Sequence, residues 1–106
     1  MPATSDRLVK LQQMLEKSPG DAFLLYGIAL EYKKLGEGAL ALEFLDRVIR
    51  ADPGYCYAYF QQGQVHEDGG DTEAAKAAYR AGVAAAQQKG DAHALSEIEG
   101  ALAMLE

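Results

Sequence analysis

Apolar positions in this 106-residue chain recur at helical spacing and are interrupted at short intervals by glycine, proline and aspartate. Leu25, Ile28, Ala29 and Tyr32 share one face of a helix, and the same three-and-four spacing returns between residues 41 and 49. Alternation of period two, the mark of a half-buried strand, is absent. The pattern predicts six helices, over residues 5–17, 22–35, 38–51, 55–68, 72–88 and 92–105.

Residues that begin and end helices stand between these segments. Asp21 can cap a helix start, and Gly36 can close the same helix in a left-handed conformation. Pro53-Gly54 and Gly69-Gly70-Asp71 supply the later breaks. We therefore expect short connections and helices that pair as antiparallel hairpins.

The chain also repeats itself at an offset of 34 residues, since Ser18-Pro19-Gly20 returns as Asp52-Pro53-Gly54. The register continues through further pairs: Leu25 with Tyr59, Ala29 with Gly63, Tyr32 with His66, Ala41 with Ala75, and Leu45 with Tyr79. Counted backwards, the offset gives Leu11, Met14 and Leu15 the positions of Leu45, Val48 and Ile49. The N-terminal segment is thus half a repeat.

This repeat resembles the tetratricopeptide repeat family, whose unit is a 34-residue helix-turn-helix. The family's Trp-x2-Leu-Gly-x2-Tyr stretch corresponds to Leu25-x2-Ile28-Ala29-x2-Tyr32 and Tyr59-x2-Gln62-Gly63-x2-His66, and its Ala-x3-Phe to Ala41-x3-Leu45 and Ala75-x3-Tyr79. Gln62 and His66 are more polar than the family pattern, and Gln87 replaces the closing proline. The resemblance implies an all-α fold, a right-handed α-α superhelix or solenoid of antiparallel helix hairpins.

The length fits one domain, and the repeat divides it into four parts. We expect a single tetratricopeptide domain over residues 1–106, with an N-terminal half-repeat helix at 5–20, repeat 1 at 21–54, repeat 2 at 55–90 and a C-terminal capping helix at 91–106. Small residues at Ala29, Ala41, Gly63 and Ala75 would let paired helices approach closely. Leu95, Ile98, Leu102 and Leu105 form the apolar stripe of the capping helix.

Net charge narrows the possible partners. Ten basic and sixteen acidic side chains give −6, which would repel nucleic acid and anionic membranes, so neither is expected as a partner. No stretch resembles a signal peptide or a membrane span, which makes a cytoplasmic location the expectation. Residues 55–106 carry three basic and eight acidic side chains, a net of −5. This acidity fits either a solvated face or the steering of a basic partner.

No residue pattern indicates catalysis. Cys56, His66 and His93 are far apart in sequence and lack the short spacings of metal ligands. Neither a phosphate loop nor a dinucleotide fingerprint occurs. We expect no enzyme activity, no metal and no cofactor, with His66 as a partly buried ring in the aromatic position of repeat 2.

An apolar excess on the first helix of each repeat predicts a binding surface. Residues 23–30 are apolar nearly all round, although packing needs only one stripe. In the family this second stripe lines a concave groove that receives protein or peptide segments. The resemblance therefore implies ten groove residues: Phe23, Tyr26, Leu30, Lys33, Tyr57, Phe60, Gln61, Gln64, His93 and Glu97.

The chemistry of these positions favours an apolar ligand. The family's carboxylate clamp uses lysine, asparagine and arginine, whereas Tyr26, Leu30, Gln61, His93 and Glu97 hold the comparable positions here. The expected function is a non-catalytic adaptor or scaffold that binds an apolar or aromatic protein segment. The alternative is a self-associating subunit that uses the same stripe as its homodimer contact. Either way, one continuous aromatic patch is predicted from Phe23, Tyr26, Tyr57 and Phe60.

Overall fold

The computed structural model describes residues 4–106, and every regular element in that range is an α-helix. The bounds differ from the expected ones by at most two residues, and the prediction of an all-α fold is confirmed. The six helices are α1 (Asp6–Lys17), α2 (Ala22–Lys34), α3 (Gly38–Ala51), α4 (Cys56–Asp68), α5 (Thr72–Lys89) and α6 (Ala92–Ala103).

Four of these helices start at a side-chain cap. In each, a serine or aspartate oxygen accepts a hydrogen bond from a backbone N–H of the first turn, which the helix itself leaves unpaired. The expected cap at Asp21 is confirmed, because its carboxylate accepts from the N–H groups of Phe23 and Leu24 at 2.9 and 3.2 Å. The four capping residues are Ser5, Asp21, Asp71 and Asp91.

Left-handed glycines follow the ends of three helices. Gly36, Gly70 and Gly90 have φ angles of 78°, 79° and 74°, a region that costs glycine little, and the expectation for Gly36 is confirmed. Helix α5 is the longest, at 18 residues, and reaches Gly90. Its length follows from Gln87, which keeps the backbone N–H that the corresponding Pro53 lacks.

The chain forms two compact units of three helices each. Unit 1 ends at Asp52 and contains α1 to α3, while unit 2 runs from Pro53 to Glu106 and contains α4 to α6. In unit 1, α2 packs against both α1 and α3. The Tyr32 ring of α2 lies 5.6 Å from the Phe44 ring of α3. The fully buried core residues of unit 1 are Ile28, Ala29, Ala41 and Val48, and Leu45 is only 1% exposed.

Helix α1 covers the other side of α2. Leu8 is buried, and a methyl group of Leu11 lies 3.4 Å from the position that a Cβ on Gly27 would take. Met14 remains 54% exposed, although the repeat offset gives it the position of the buried Val48. The difference arises because α1 packs mainly on α2, so that its outer face stays open to solvent.

A buried carboxylate joins α1 to α2. Glu31 is 7% exposed, and its carboxylate lies 3.0 Å from the Nε of Arg7. The Ser5 hydroxyl donates to the second oxygen of Glu31 at 3.2 Å and accepts from the N–H of Leu8 at 3.1 Å. The charge of Glu31 is therefore paired and hydrogen-bonded, as a buried charge must be.

In unit 2, α5 packs against α4 and α6 around two glycines. Tyr79 is fully buried, and a Cβ built on Gly63 of α4 would overlap its ring. A Cβ on Gly82 would come within 2.9 Å of the Cβ of Tyr59 and 3.2 Å of Ile98. Close helix approach at Gly63 is thus confirmed, with a large ring as the neighbour.

The last helix packs its apolar stripe against this core. Ile98 is fully buried, while Leu95 and Leu102 of α6, and Leu105 just after its end, are partly buried against the core residues of unit 2. This is the stripe expected for the capping helix. Within residues 4–106, no helix combines the length and the apolar content that crossing a bilayer requires.

Candidate functional site

The ten expected groove residues lie on three helices, each the first helix of a repeat or the capping helix. Four of them belong to α2 in unit 1: Phe23, Tyr26, Leu30 and Lys33. The other six belong to unit 2, with Tyr57, Phe60, Gln61 and Gln64 on α4 and His93 and Glu97 on α6. The joining of Phe23 and Tyr26 with Tyr57 and Phe60 in one patch stays a prediction.

In unit 1, the expected residues leave apolar surface in contact with solvent. Phe23 is 74% exposed in the first turn of α2, directly before the buried Leu24 and Leu25. Tyr26 and Leu30 are half-buried, as is Lys33 further along the helix. A single exposed apolar side chain is ordinary on a protein surface, so Phe23 is of interest only together with Tyr26 and Leu30 on the same helix.

In unit 2, two expected aromatic residues are held in a fixed arrangement. The rings of Tyr57 and Phe60 meet edge to face, with centroids 6.3 Å apart and an interplanar angle of 83°. On its other side, Phe60 lies 6.0 Å from the buried ring of Tyr79. Such ring contacts stabilise beyond their buried area, so the half-buried Phe60 is fixed on a rigid base.

Two expected residues of α6 complete this arrangement. The Tyr57 hydroxyl donates to Oε1 of Glu97 at 3.3 Å, and the Nε2 of His93 lies 2.6 Å from the same oxygen. Tyr57, Phe60, His93 and Glu97, here called the aromatic–acid cluster, therefore come together from two helices. Gln61 and Gln64 are half-buried on the same helix as the two rings.

The surroundings of the cluster are negatively charged. Burial is the largest cause of the raised pKa of Tyr57. The charge of Glu97, the hydrogen bond between Tyr57 and Glu97, and the charge of Asp91 raise this pKa further. Unit 2 carries three basic and eight acidic side chains, which gives it a net charge of −5.

All three basic side chains of unit 2 have partners elsewhere. Lys76 lies 3.5 Å from Glu73, Arg80 lies 2.9 Å from Glu106, and Lys89 donates to the Gly54 carbonyl at 3.3 Å. None of these three contacts involves Glu97, whose Oε1 is contacted by Tyr57 and His93.

Candidate catalytic and metal-binding groups are not gathered into a site. Among residues 4–106, no group of three or more histidine, cysteine, aspartate or glutamate side chains is placed to hold a metal ion. Cys56 is buried with its Sγ 3.3 Å from the Gly54 carbonyl. His66 is half-buried, and its backbone carbonyl accepts from the N–H of Asp71 at 2.9 Å.

Sequence reasoning missed one contributor to the site. Tyr79 was identified as the counterpart of Leu45 and of the family's phenylalanine, but not as a neighbour of the site; its ring packs against Phe60 and its hydroxyl donates to Glu67. Burial and Glu67 raise the pKa of Tyr79 well above its usual range. The signal was present in the repeat register, because the larger Tyr79 accompanies the smaller Gly63 at the positions of Leu45 and Ala29.

Comparison with known proteins gives a consistent result. The family model described as Tetratricopeptide repeat matches residues 24–55 and 57–89, more than half of the chain. The "TPR repeat-containing protein PA0015" of Pseudomonas aeruginosa is 32% identical over 88 residues, which cover 83% of this chain and 84% of that protein.

Solved structures are similar as well. The solution structure of a tetratricopeptide repeat domain protein from Salinibacter ruber has a TM-score of 0.77 at 30% identity, covering 83% of this chain and 89% of that one. The crystal structure of PcrH in complex with the chaperone binding region of PopD has a TM-score of 0.85 at 17% identity, covering 92% and 74%. At that identity, PcrH shows a shared fold alone.

Proposed function

Because the chain belongs to the tetratricopeptide repeat family, whose members bind other proteins, we propose that it is a non-catalytic adaptor or scaffold that receives an apolar or aromatic segment. The surfaces we assign to this role are the outward stripes of α2 and α4, with His93 and Glu97 of α6 beside the second. PcrH, which has the same fold, is seen with a region of PopD bound to it.

The observation that carries this proposal is the placement of Phe60 and Tyr57. Both rings keep part of their surface in contact with solvent, while they pack against one another and Phe60 also packs against Tyr79. An aromatic ring that is already fixed loses little conformational freedom when a partner binds. Rings of this kind are the residues that carry most of the energy of protein interfaces.

In unit 1, the exposed ring of Phe23 is the observation that favours the proposed binding function. Its exposed ring lies in the first turn of α2, where the backbone is fixed by the Asp21 cap. A partner segment that covers Phe23 would remove a large apolar surface from water without rearranging the helix.

The test compares variants that remove one anchor with a variant that changes a side chain elsewhere. Tyr26→Ala and Tyr57→Ala should weaken capture of the native partner by roughly thirtyfold each, because truncating an anchor typically costs ~2 kcal/mol or more. Gln88→Ala, on an exposed position of α5, is the matched control and should bind like the parent protein. Partner affinity is measured by titration after circular dichroism has shown that each variant is folded.

Sedimentation velocity separates this function from self-association. A monomer at tens-of-micromolar concentration supports the adaptor proposal. A concentration-dependent dimer that is lost in Tyr26→Ala would contradict it and would assign the same stripe to contact with a second copy.

A further inference from the structure

The aromatic–acid cluster combines an apolar contact with an acidic one on a single residue. The ring of Tyr57 meets Phe60, and its hydroxyl contacts Glu97, so the two kinds of surface lie one tyrosine side chain apart. An apolar ligand would use the rings and leave the carboxylate of Glu97 beside it. We propose that this cluster selects a protein segment that carries a lysine or arginine next to its apolar anchor, an inference that rests on the adaptor function proposed above.

The geometry of Glu97 supports a cationic ligand. Its side chain is 43% exposed, and both Tyr57 and His93 contact Oε1. The second oxygen, Oε2, is the acceptor to which we assign an ammonium or guanidinium N–H of the partner. Hydrogen bonds between a cation and a carboxylate are about twice as strong as neutral ones.

The net charge of unit 2 also favours a cationic ligand. With a net charge of −5, this unit attracts a basic segment and repels an acidic one before any contact forms. Its own lysine and arginine side chains are engaged with Glu73, Glu106 and the Gly54 carbonyl. The ring of His93, whose side chain is 80% exposed, contacts Oε1 of Glu97 rather than Oε2.

The position of the acidic group also sets the spacing in the ligand. Glu97 contacts the outer end of Tyr57, while Phe60 lies on the ring side, one helical turn along α4. A lysine or arginine is long enough to reach Glu97 from a residue adjacent to the anchor that covers Phe60. The recognised pattern is thus an aromatic or long aliphatic residue with a basic neighbour.

Selection from a random dodecapeptide library displayed on phage tests this pattern on the whole chain. We expect enriched peptides to pair an apolar or aromatic residue with a neighbouring lysine or arginine, and to lose affinity as salt is raised. Enrichment of apolar peptides without basic residues, or with acidic ones, would overturn this inference and leave the adaptor function intact. Failure to enrich any peptide would overturn the adaptor function itself.

A pair of charge-matched variants then locates the effect. Glu97→Gln removes the acidic contact and should weaken a selected basic peptide about fivefold, while an analogue with the basic residue replaced by serine should bind both proteins equally. Glu73→Gln removes the same charge from the same unit, at a side chain 84% exposed on α5, and should change the affinity much less. Equal effects of the two variants would reduce the preference to net charge and overturn the role of Glu97. Occupation of the cluster by a second copy, seen as a dimer that Glu97→Gln dissociates, would overturn the choice of partner.

Discussion

The two units share a register but fill their cores differently. In unit 1, the first helix of the hairpin carries Ala29 and the second carries Leu45. In unit 2, the same positions hold Gly63 and Tyr79, and the ring of Tyr79 occupies the space that a Cβ on Gly63 would need. One side chain has become larger where its neighbour has become smaller, so the packed volume is kept.

This exchange changes the surface as well as the core. Tyr79 places a ring beneath Phe60, and Phe60 in turn contacts Tyr57. The corresponding residue of unit 1 is Leu45, which offers no ring to the counterpart of Phe60, Tyr26. The comparison teaches that a repeat register predicts which helices pair, while the residues at single core positions decide which side chains lie beneath a surface ring.

The variant Gly63→Ala is the most direct test of whether Gly63 and Tyr79 compensate one another in volume. The new methyl group would overlap the buried ring of Tyr79, and we expect unit 2 to lose about 1 to 3 kcal/mol of stability despite the better helix propensity of alanine. Urea denaturation followed by circular dichroism measures the loss.

The double variant Gly63→Ala/Tyr79→Leu recreates the pair found in unit 1. It should be more stable than the sum of its two single changes predicts, by ~1 kcal/mol or more. Strict additivity would show that Gly63 and Tyr79 do not compensate one another.

The buried charge of Glu31 gives a second difference, since unit 2 has no buried charged side chain among residues 53–106. Within residues 4–106, Arg7→Ala leaves the buried Glu31 carboxylate with Ser5 as its remaining side-chain partner, and should cost about 1 to 3 kcal/mol. Glu31→Gln should cost less, because the amide is neutral and returns the exposed Arg7 to water. Denaturation midpoints of the two variants check the order; a larger loss in Glu31→Gln would contradict it.

A smaller effect of opposite sign is expected at Gly27. Its Cβ would make an ordinary contact with Leu11 at 3.4 Å, so Gly27→Ala should stabilise unit 1 by up to ~1 kcal/mol through helix propensity. Gly100→Ala is the control, because no atom lies within 4 Å of its added Cβ and the same gain is expected there. A thermal melt that shows a loss at Gly27 and a gain at Gly100 would place α1 closer to α2 than described.

Stability at alkaline pH offers a further comparison of the units, because a shifted tyrosine pKa in unit 2 affects stability there and not at neutral pH. The pKa of Tyr79 is raised in the folded state, so the unfolded chain loses this proton first. Its contribution to stability is complete below pH ~10 and is lost as the pH rises above that value. Tyr79→Phe should make the denaturation midpoint less sensitive to pH in this range. An unchanged slope would show that Tyr79 is not responsible.

Helix bounds were predictable because their causes are local. Asp21 caps a helix through its own turn, and Gly36 ends one through its own φ angle, so neither depends on the rest of the fold. The packing around Tyr79 and the burial of Glu31 were not predictable in this way. Both depend on side chains brought from another helix, such as Arg7 for Glu31, and the pattern of one helix does not record them.

The candidate site was predictable to the same depth. The family resemblance implied Tyr57, Phe60, His93 and Glu97 as groove residues, which stays a prediction, while the contacts among them depend on how α6 packs. Those contacts require side chains of α4 and α6 to meet, which the pattern of either helix alone does not record. The prediction therefore reached the residues of the cluster and stopped before its hydrogen bonds.

Ser5 has a consequence for how unit 1 assembles. Its hydroxyl both starts α1, by accepting from Leu8, and ties α1 to α2, by donating to Glu31. One side chain therefore contributes both to the formation of α1 and to its packing against α2. Because a helix of 12 residues is marginal in water on its own, α1 forms as it docks, and fraying of its first turn also releases the Glu31 contact. Amide protons of this turn then exchange with solvent through the same opening that frees the helix from its neighbour.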